Sequence, residues 1–152
     1  MLRQRFADAL KEAMKARDLL TVSTVRLIIA KLKEQDIDAR GKGKQDGLAE
    51  SEIPQMLQSM IKQRRESIAL YEQGGRADLV AKEQGEIVVI ERFLPKQLSD
   101  AEIEAAARDT IAAIGAQGMK DMGRTMAALK ERYTGQMDAA KASQAVKRLL
   151  AS

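Results

Sequence analysis

Residues 60–98 read MIKQRRESIALYEQGGRADLVAKEQGEIVVIERFLPKQL, and their two helical repeats decide the fold. Upstream of Gly74-Gly75, the stripe Ile53, Leu57, Met60 or Ile61, Ile68 and Tyr71 recurs at helical spacing. Downstream, Leu79, Val80, Ile87, Ile90 and Leu94 do the same. Glycine ends the first helix because it accepts the left-handed conformation that helix C-termini often need. So short a connection predicts an antiparallel hairpin. Arg64 falls on the first stripe and Glu83 on the second, at similar distances from the glycine pair, with Glu86 one turn further on. A charge on an apolar stripe survives burial by pairing. The expectation is a structural ion pair of Arg64 with Glu83, with Glu86 the competing partner.

Upstream, Leu2, Phe6, Leu10, Ala13 and Met14 share one face of a first helix. A second helix, starting between Leu19 and Ser23, carries Val25, Ile28, Ile29 and Leu32. Three glycines within residues 41–47 predict a loop. Its lysines do not make it a phosphate loop, because the G-x-x-x-x-G-K-[ST] spacing is absent and no strand precedes it. Ser51 is expected to cap the third helix, with Pro54 in its first turn.

Downstream, Pro95 disfavours helical geometry at Leu94. Ser99 and Glu102 then form a capping box, and Leu98 with Ile103 a hydrophobic staple. Three more helices follow, the second ending at Gly135 and the third capped by Asp138. The fold class is therefore all-α. A helical N-terminal domain, 1–96, has about four helices with a long antiparallel hairpin. A small three-helix domain, 97–152, completes the chain.

The composition narrows the chemistry. The chain has 152 residues, 32% charged and 3% aromatic, with neither Cys nor His. Disulfides, thiolate chemistry and the commonest general base are excluded. Glu83 and Glu86 share a helix face, but no further carboxylates converge on them, so no catalytic residue, metal site or cofactor is expected. No apolar run approaches the roughly 20 residues of a membrane span, and no signal-peptide core is visible. The expected location is cytoplasmic.

Charge is uneven. Residues 1–33 hold eight Lys or Arg against three Asp or Glu, a net of +5, which reads as solvated helix faces. Residues 99–110 carry −3 and residues 119–152 carry +4. The basic set Lys120, Arg124, Lys130, Lys141, Lys147 and Arg148 falls off the apolar stripes of the last two helices. Such a surface suits phosphates, which it neutralises with release of counterions; simple solvation is the alternative. Tyr133 is the one aromatic platform in the tail, so contact by shape and phosphate outweighs stacking.

Several segments, in order, resemble the YqeY family: Ile61-Lys62-Gln63-Arg64-Arg65-Glu66-Ser67-Ile68; Tyr71 with Gly75-Arg76-Ala77-Asp78-Leu79; Lys82-Glu83 with Glu86-Ile87; and Phe93-Leu94-Pro95-Lys96-Gln97-Leu98. Asp121-Met122-Gly123-Arg124, Gly135, Asp138 and Lys141 continue the match. Phe93 stands where the family usually has Tyr, and Ala140 where its turn has Gly. The family is similar to the C-terminal helical region of the B subunit of glutamine-dependent tRNA amidotransferase, whose tail helps hold tRNA. The resemblance implies a stand-alone module that binds tRNA or serves a tRNA-dependent amidotransferase, a carbon–nitrogen ligase with glutamine as amide donor. The alternative is a protein adaptor docking on an amidotransferase or aminoacyl-tRNA synthetase. An enzyme in its own right is the reading least supported by the residues.

Overall fold

A computed structural model describes residues 1–151. Its α-helices are α1 Leu2–Ala16, α2 Leu19–Gly41, α3 Ile53–Gln73, α4 Ala77–Glu91, α5 Asp100–Ile114, α6 Met122–Arg132 and α7 Ala139–Ala151. No strand occurs among the described residues, and the all-α expectation holds. The chain divides into two compact units, Met1–Leu94 and Pro95–Ser152. The tail range expected to reach 152 runs one residue past those described.

In the first unit, Val25, Ile28 and Leu32 of α2 pack with Ile53, Met56, Leu57, Met60 and Ile61 of α3 and Ile87, Val89 and Ile90 of α4. The few aromatics are concentrated here: Phe6 of α1 meets Phe93 edge to face, with ring centroids 4.9 Å apart. Arg5 lies over the Phe93 ring at 5.5 Å and donates to the Arg92 carbonyl at 2.9 Å. Helix α2 comes close to α4 because residue 85 is glycine. A Cβ there would stand 2.9 Å from Leu20 Cδ2.

Two local expectations change. The loop expected from residue 41 begins later, since α2 continues through Gly41. Ser51 does not cap α3. Glu50–Glu52 form a 3-10 turn instead, and α3 starts at Ile53 with no side-chain cap and Pro54 in its first turn. The 3-10 turn leads the chain into the helix, and Pro54 lacks one of the N–H groups that a cap would satisfy. The glycine hairpin is as read, with Gly75 at φ +68°. The joint between α1 and α2 had no glycine to announce it. Arg17 adopts the left-handed conformation at φ 55°, and Asp18 caps α2 by accepting from the Thr21 amide at 3.2 Å and hydroxyl at 2.6 Å.

Helix α1 is held by a carboxylate that the apolar pattern gave no reason to single out. Asp36 of α2 is buried, yet it accepts from Arg3 Nη1 at 2.8 Å, Arg3 Nη2 at 2.7 Å and the Leu48 amide at 2.8 Å. Arg3 Nη2 also donates to the Leu48 carbonyl at 2.7 Å. Glu50 accepts from the Leu2 amide beside it. Gly47, at φ +82°, lies against the carboxylate; a Cβ there would be 2.5 Å from Asp36 Oδ1. One buried charge thus joins the start of α1, the end of α2 and the loop into α3.

The second unit has its own core of Ile103, Ala106 and Ala107 from α5, Leu129 from α6, and Ala142, Ala145, Val146 and Leu150 from α7. The capping box is present: Ser99 Oγ accepts from the Glu102 amide at 3.2 Å, and Glu102 accepts from the Ser99 amide at 3.1 Å. Leu98 packs against the same core as Ile103, and its amide donates to the Gln136 carbonyl at 2.8 Å. Gln97 Nε2 reaches the Gly135 carbonyl at 2.7 Å. The segment after Pro95 is therefore bonded to the α6–α7 turn.

Two outcomes follow from this packing. A fragment from Pro95 to Ser152 is expected to show a helical circular dichroism spectrum and a cooperative melt; a featureless melt would deny that the tail folds alone. For Asp36, the bonds from Arg3 hold the carboxyl at about 2, below its ordinary 3.8. A depressed carboxylate adds stability above its unfolded value, and that stability is lost as pH falls through the folded one. The contribution of Asp36, about 2 kcal/mol, should thus be lost between roughly pH 4 and pH 2. Urea melts across that window should show Asp36→Asn to be less stable at neutral pH and flatter in its response.

Candidate nucleic-acid interface

The hairpin ion pair and the tail cations are the residues singled out by sequence. In the hairpin, Arg64 Nε donates to Glu86 Oε2 at 2.8 Å, and Arg64 Nη1 donates to the Met60 carbonyl at 3.1 Å. The two side chains are 13% and 8% exposed, so the charges are sheltered together. Glu83 is half-buried one turn nearer the hairpin tip and is not the bonded carboxylate. Counting residues from the glycines matched Cα levels but ignored side-chain direction. The Cα–Cβ bond tilts toward the helix N-terminus, which carries Arg64 back toward Met60 and level with Glu86. The pair occupies the helix seam and offers no open site to a substrate.

In the tail, the six predicted cations separate into two sets. Lys141 Nζ of α7 lies 3.1 Å from Asp100 Oδ1 of α5, and Arg148 Nη2 lies 3.4 Å from Glu104 Oε1, which Arg108 also approaches at 3.3 Å. Arg124 lies 3.3 Å from Asp121 and donates to the Ile114 carbonyl at 2.9 Å. The Asp121 carboxyl is held below its ordinary value, first by the Gln117 amide that donates to it and then by Arg124. Lys120, Lys130 and Lys147 form the other set. They are exposed, and among the described residues no carboxylate stands within ion-pair distance of them.

Helix geometry separates the sets. Side chains advance by about 100° per residue. Arg132 faces α5, donating to the Thr110 hydroxyl at 3.2 Å, so Lys130 two positions earlier is turned away from α5. Lys147 is likewise about 100° away from Arg148. Lys120 belongs to the 3-10 turn Met119–Asp121, which packs beside both α6 and α7. The methionines Met122 and Met126 pack against the core rather than forming an open groove. The N-terminus of α7 is capped from within, because Asp138 Oδ1 accepts the Ala140 amide at 3.1 Å. The opposed charges of residues 99–110 and 119–152 are legible in sequence. The pairing that cancels part of them across α5 and α7 is not, because it depends on which helix faces turn inward.

Among the described residues no group of three or more Asp or Glu could hold a metal ion. No helix there is long and apolar enough to cross a membrane.

Two compact helical units, one built around a charged hairpin seam and the other partly self-neutralised, define a charged all-α module. A protein-family model described as Yqey-like protein matches residues 3–150, and the chain belongs to the YqeY family. Its curated relatives include proteins named altered inheritance of mitochondria protein 41, mitochondrial. That of Lachancea thermotolerans is 37% identical over 98 residues, covering 63% of this chain and 50% of its own length. That of Eremothecium gossypii is 34% identical over 112 residues, covering 69% and 59%. The one from Saccharomyces cerevisiae strain YJM789 is 32% identical over 95 residues, covering 62% and 49%. The chain thus matches about half the length of the curated relatives it resembles. Their names overturn the cytoplasmic expectation. That expectation rested on composition and a missing signal-peptide core, neither of which distinguishes the cytoplasm from an organelle interior.

Removing one partner of the seam pair leaves the other sheltered and uncompensated, at a cost of about 3 kcal/mol. Glu86→Gln should therefore lower the denaturation midpoint clearly more than Glu83→Gln. Equal effects of the two in thermal melts would show that the 2.8 Å contact carries no special weight.

Proposed function

We propose that this chain is a stand-alone RNA-binding module, with structured RNA as ligand and tRNA as the first candidate. The observation that carries the reading is the set of exposed lysines Lys120, Lys130 and Lys147, which among the described residues have no carboxylate within ion-pair distance and take no part in the pairing between α5 and α7. Unpaired cations on a helical surface bind a polyanion by releasing its counterions. The surface presents no row of aromatics for unpaired bases, which favours a folded RNA read through its backbone and shape. Arg132 lies over the Tyr133 ring at 5.9 Å, so even that ring is partly occupied. The similarity of the family to the tail of the amidotransferase B subunit supports the same reading and suggests service to a tRNA-dependent amidotransferase.

A second reading rests on the first unit, where Leu19, Leu27, Ile37 and Val88 are exposed by 79%, 46%, 68% and 55%. Apolar surface of this kind suits a protein adaptor that docks on an amidotransferase or aminoacyl-tRNA synthetase.

The deciding measurement is a salt titration of tRNA binding. Replacing Lys120, Lys130 and Lys147 by alanine should weaken binding and reduce the log–log salt slope by roughly two to three, since each phosphate contact contributes about 0.9. Replacing Lys141 and Arg148 should reduce it less. Equal slopes for wild type and the triple variant would reject this surface. No binding even at low salt would reject RNA and promote the adaptor.

A further inference from the structure

We infer that α5 acts as a built-in competitor for the polyanion, masking one basic side of the tail so that the ligand is accepted on the other. This rests on the RNA reading above and adds a regulatory element to the same site. The geometry is direct. Asp100 and Glu104 are four residues apart on one face of α5, and they meet Lys141 and Arg148, seven residues apart on α7, at 3.1 and 3.4 Å. The carboxylates lie about one helical turn apart on α5 and the cations about two on α7, a difference their side chains span, with Arg108 sharing Glu104 at 3.3 Å. The remaining tail lysines, Lys120, Lys130 and Lys147, are outside this row.

All these paired side chains are partly or largely exposed, from 37% for Glu104 to 83% for Asp100. Exposed pairs are weak, so stability gives little reason for such a matched row. Their effect falls on a phosphate backbone instead. A cation already neutralised by a carboxylate must give up that partner before it can neutralise a phosphate and release the polyanion's counterions, and the carboxylate itself repels the incoming charge. The polyanion is therefore turned away from the α5–α7 side. The tail has one receptive face although its basic residues lie on several.

The test is a charge-matched comparison on the full chain, with purified tRNA as probe. Asp100→Asn and Asp109→Asn each remove one negative charge from the same helix, but only Asp100 meets a lysine of α7. Asp100→Asn is expected to tighten tRNA binding about two- to fivefold at low salt, the range that an exposed ion pair spans. Its salt slope should steepen by about one, reporting the added phosphate contact of Lys141. Asp109→Asn should change neither beyond the small effect of net charge. The double change Asp100→Asn with Glu104→Gln should steepen the slope by about two. Circular dichroism confirms that each variant is folded. If wild type binds and the two asparagine variants behave alike, the masking is refuted while the RNA reading stands. If neither wild type nor any variant binds tRNA, both are refuted.

Discussion

The carboxylate of Asp36 takes hydrogen bonds from Arg3 and from the Leu48 amide, and the position of α1 depends on that convergence. A buried charge is costly unless every lone pair is met, so the site tolerates little rearrangement. Arg3 must enter from the start of α1, and the loop after α2 must bend back to present its amide. Gly47 leaves the space this bend requires. Of the fifteen residues of α1 only Phe6 and Ala13 are buried, with Leu2, Ala9 and Leu10 packed partly against the core. Hydrophobic burial is non-directional, whereas three bonds to one carboxylate fix both register and angle.

The Arg64–Glu86 pair does for the α3–α4 seam what Asp36 does for α1. The seam is otherwise lined by Met60, Ile61, Ile87 and Ile90, whose contacts would tolerate a small slide. A guanidinium bonded both to a carboxylate and to the Met60 carbonyl limits that slide. The first unit thus combines a largely aliphatic core with two well-satisfied buried charges. This suits a chain with two Phe, two Tyr and no Trp.

Sequence made the helices and the hairpin legible because both are local. The apolar stripes of α3 and α4, the glycine turn at 74–75 and the Ser99–Glu102 box are each written within a few residues. What escaped was non-local or directional. Nothing near Asp36 in sequence announces Arg3 or Leu48. The choice of Glu86 over Glu83 depended on the tilt of a Cα–Cβ bond rather than on residue counting. In the tail, all six cations were visible, but their division into paired and unpaired sets appeared only once α5 and α7 lay side by side.

The joint at Arg17 and Asp18 has a mechanical meaning beyond reversing the chain. With so short a connection, α1 and α2 behave like two meshed gears whose rotational phase is set at one tooth. A residue inserted in the last turn of α1, if it kept the helix, would rotate the rest of α1 by about 100° about its own axis while advancing it about 1.5 Å. The effect would be felt at the far end of α1, where Arg3 would swing out of reach of Asp36. Length variation between the first two helices is therefore constrained by an ion pair more than a dozen residues away. The glycine-rich loop after α2 has a different freedom: insertions at its outer residues leave the phase of α1 unchanged.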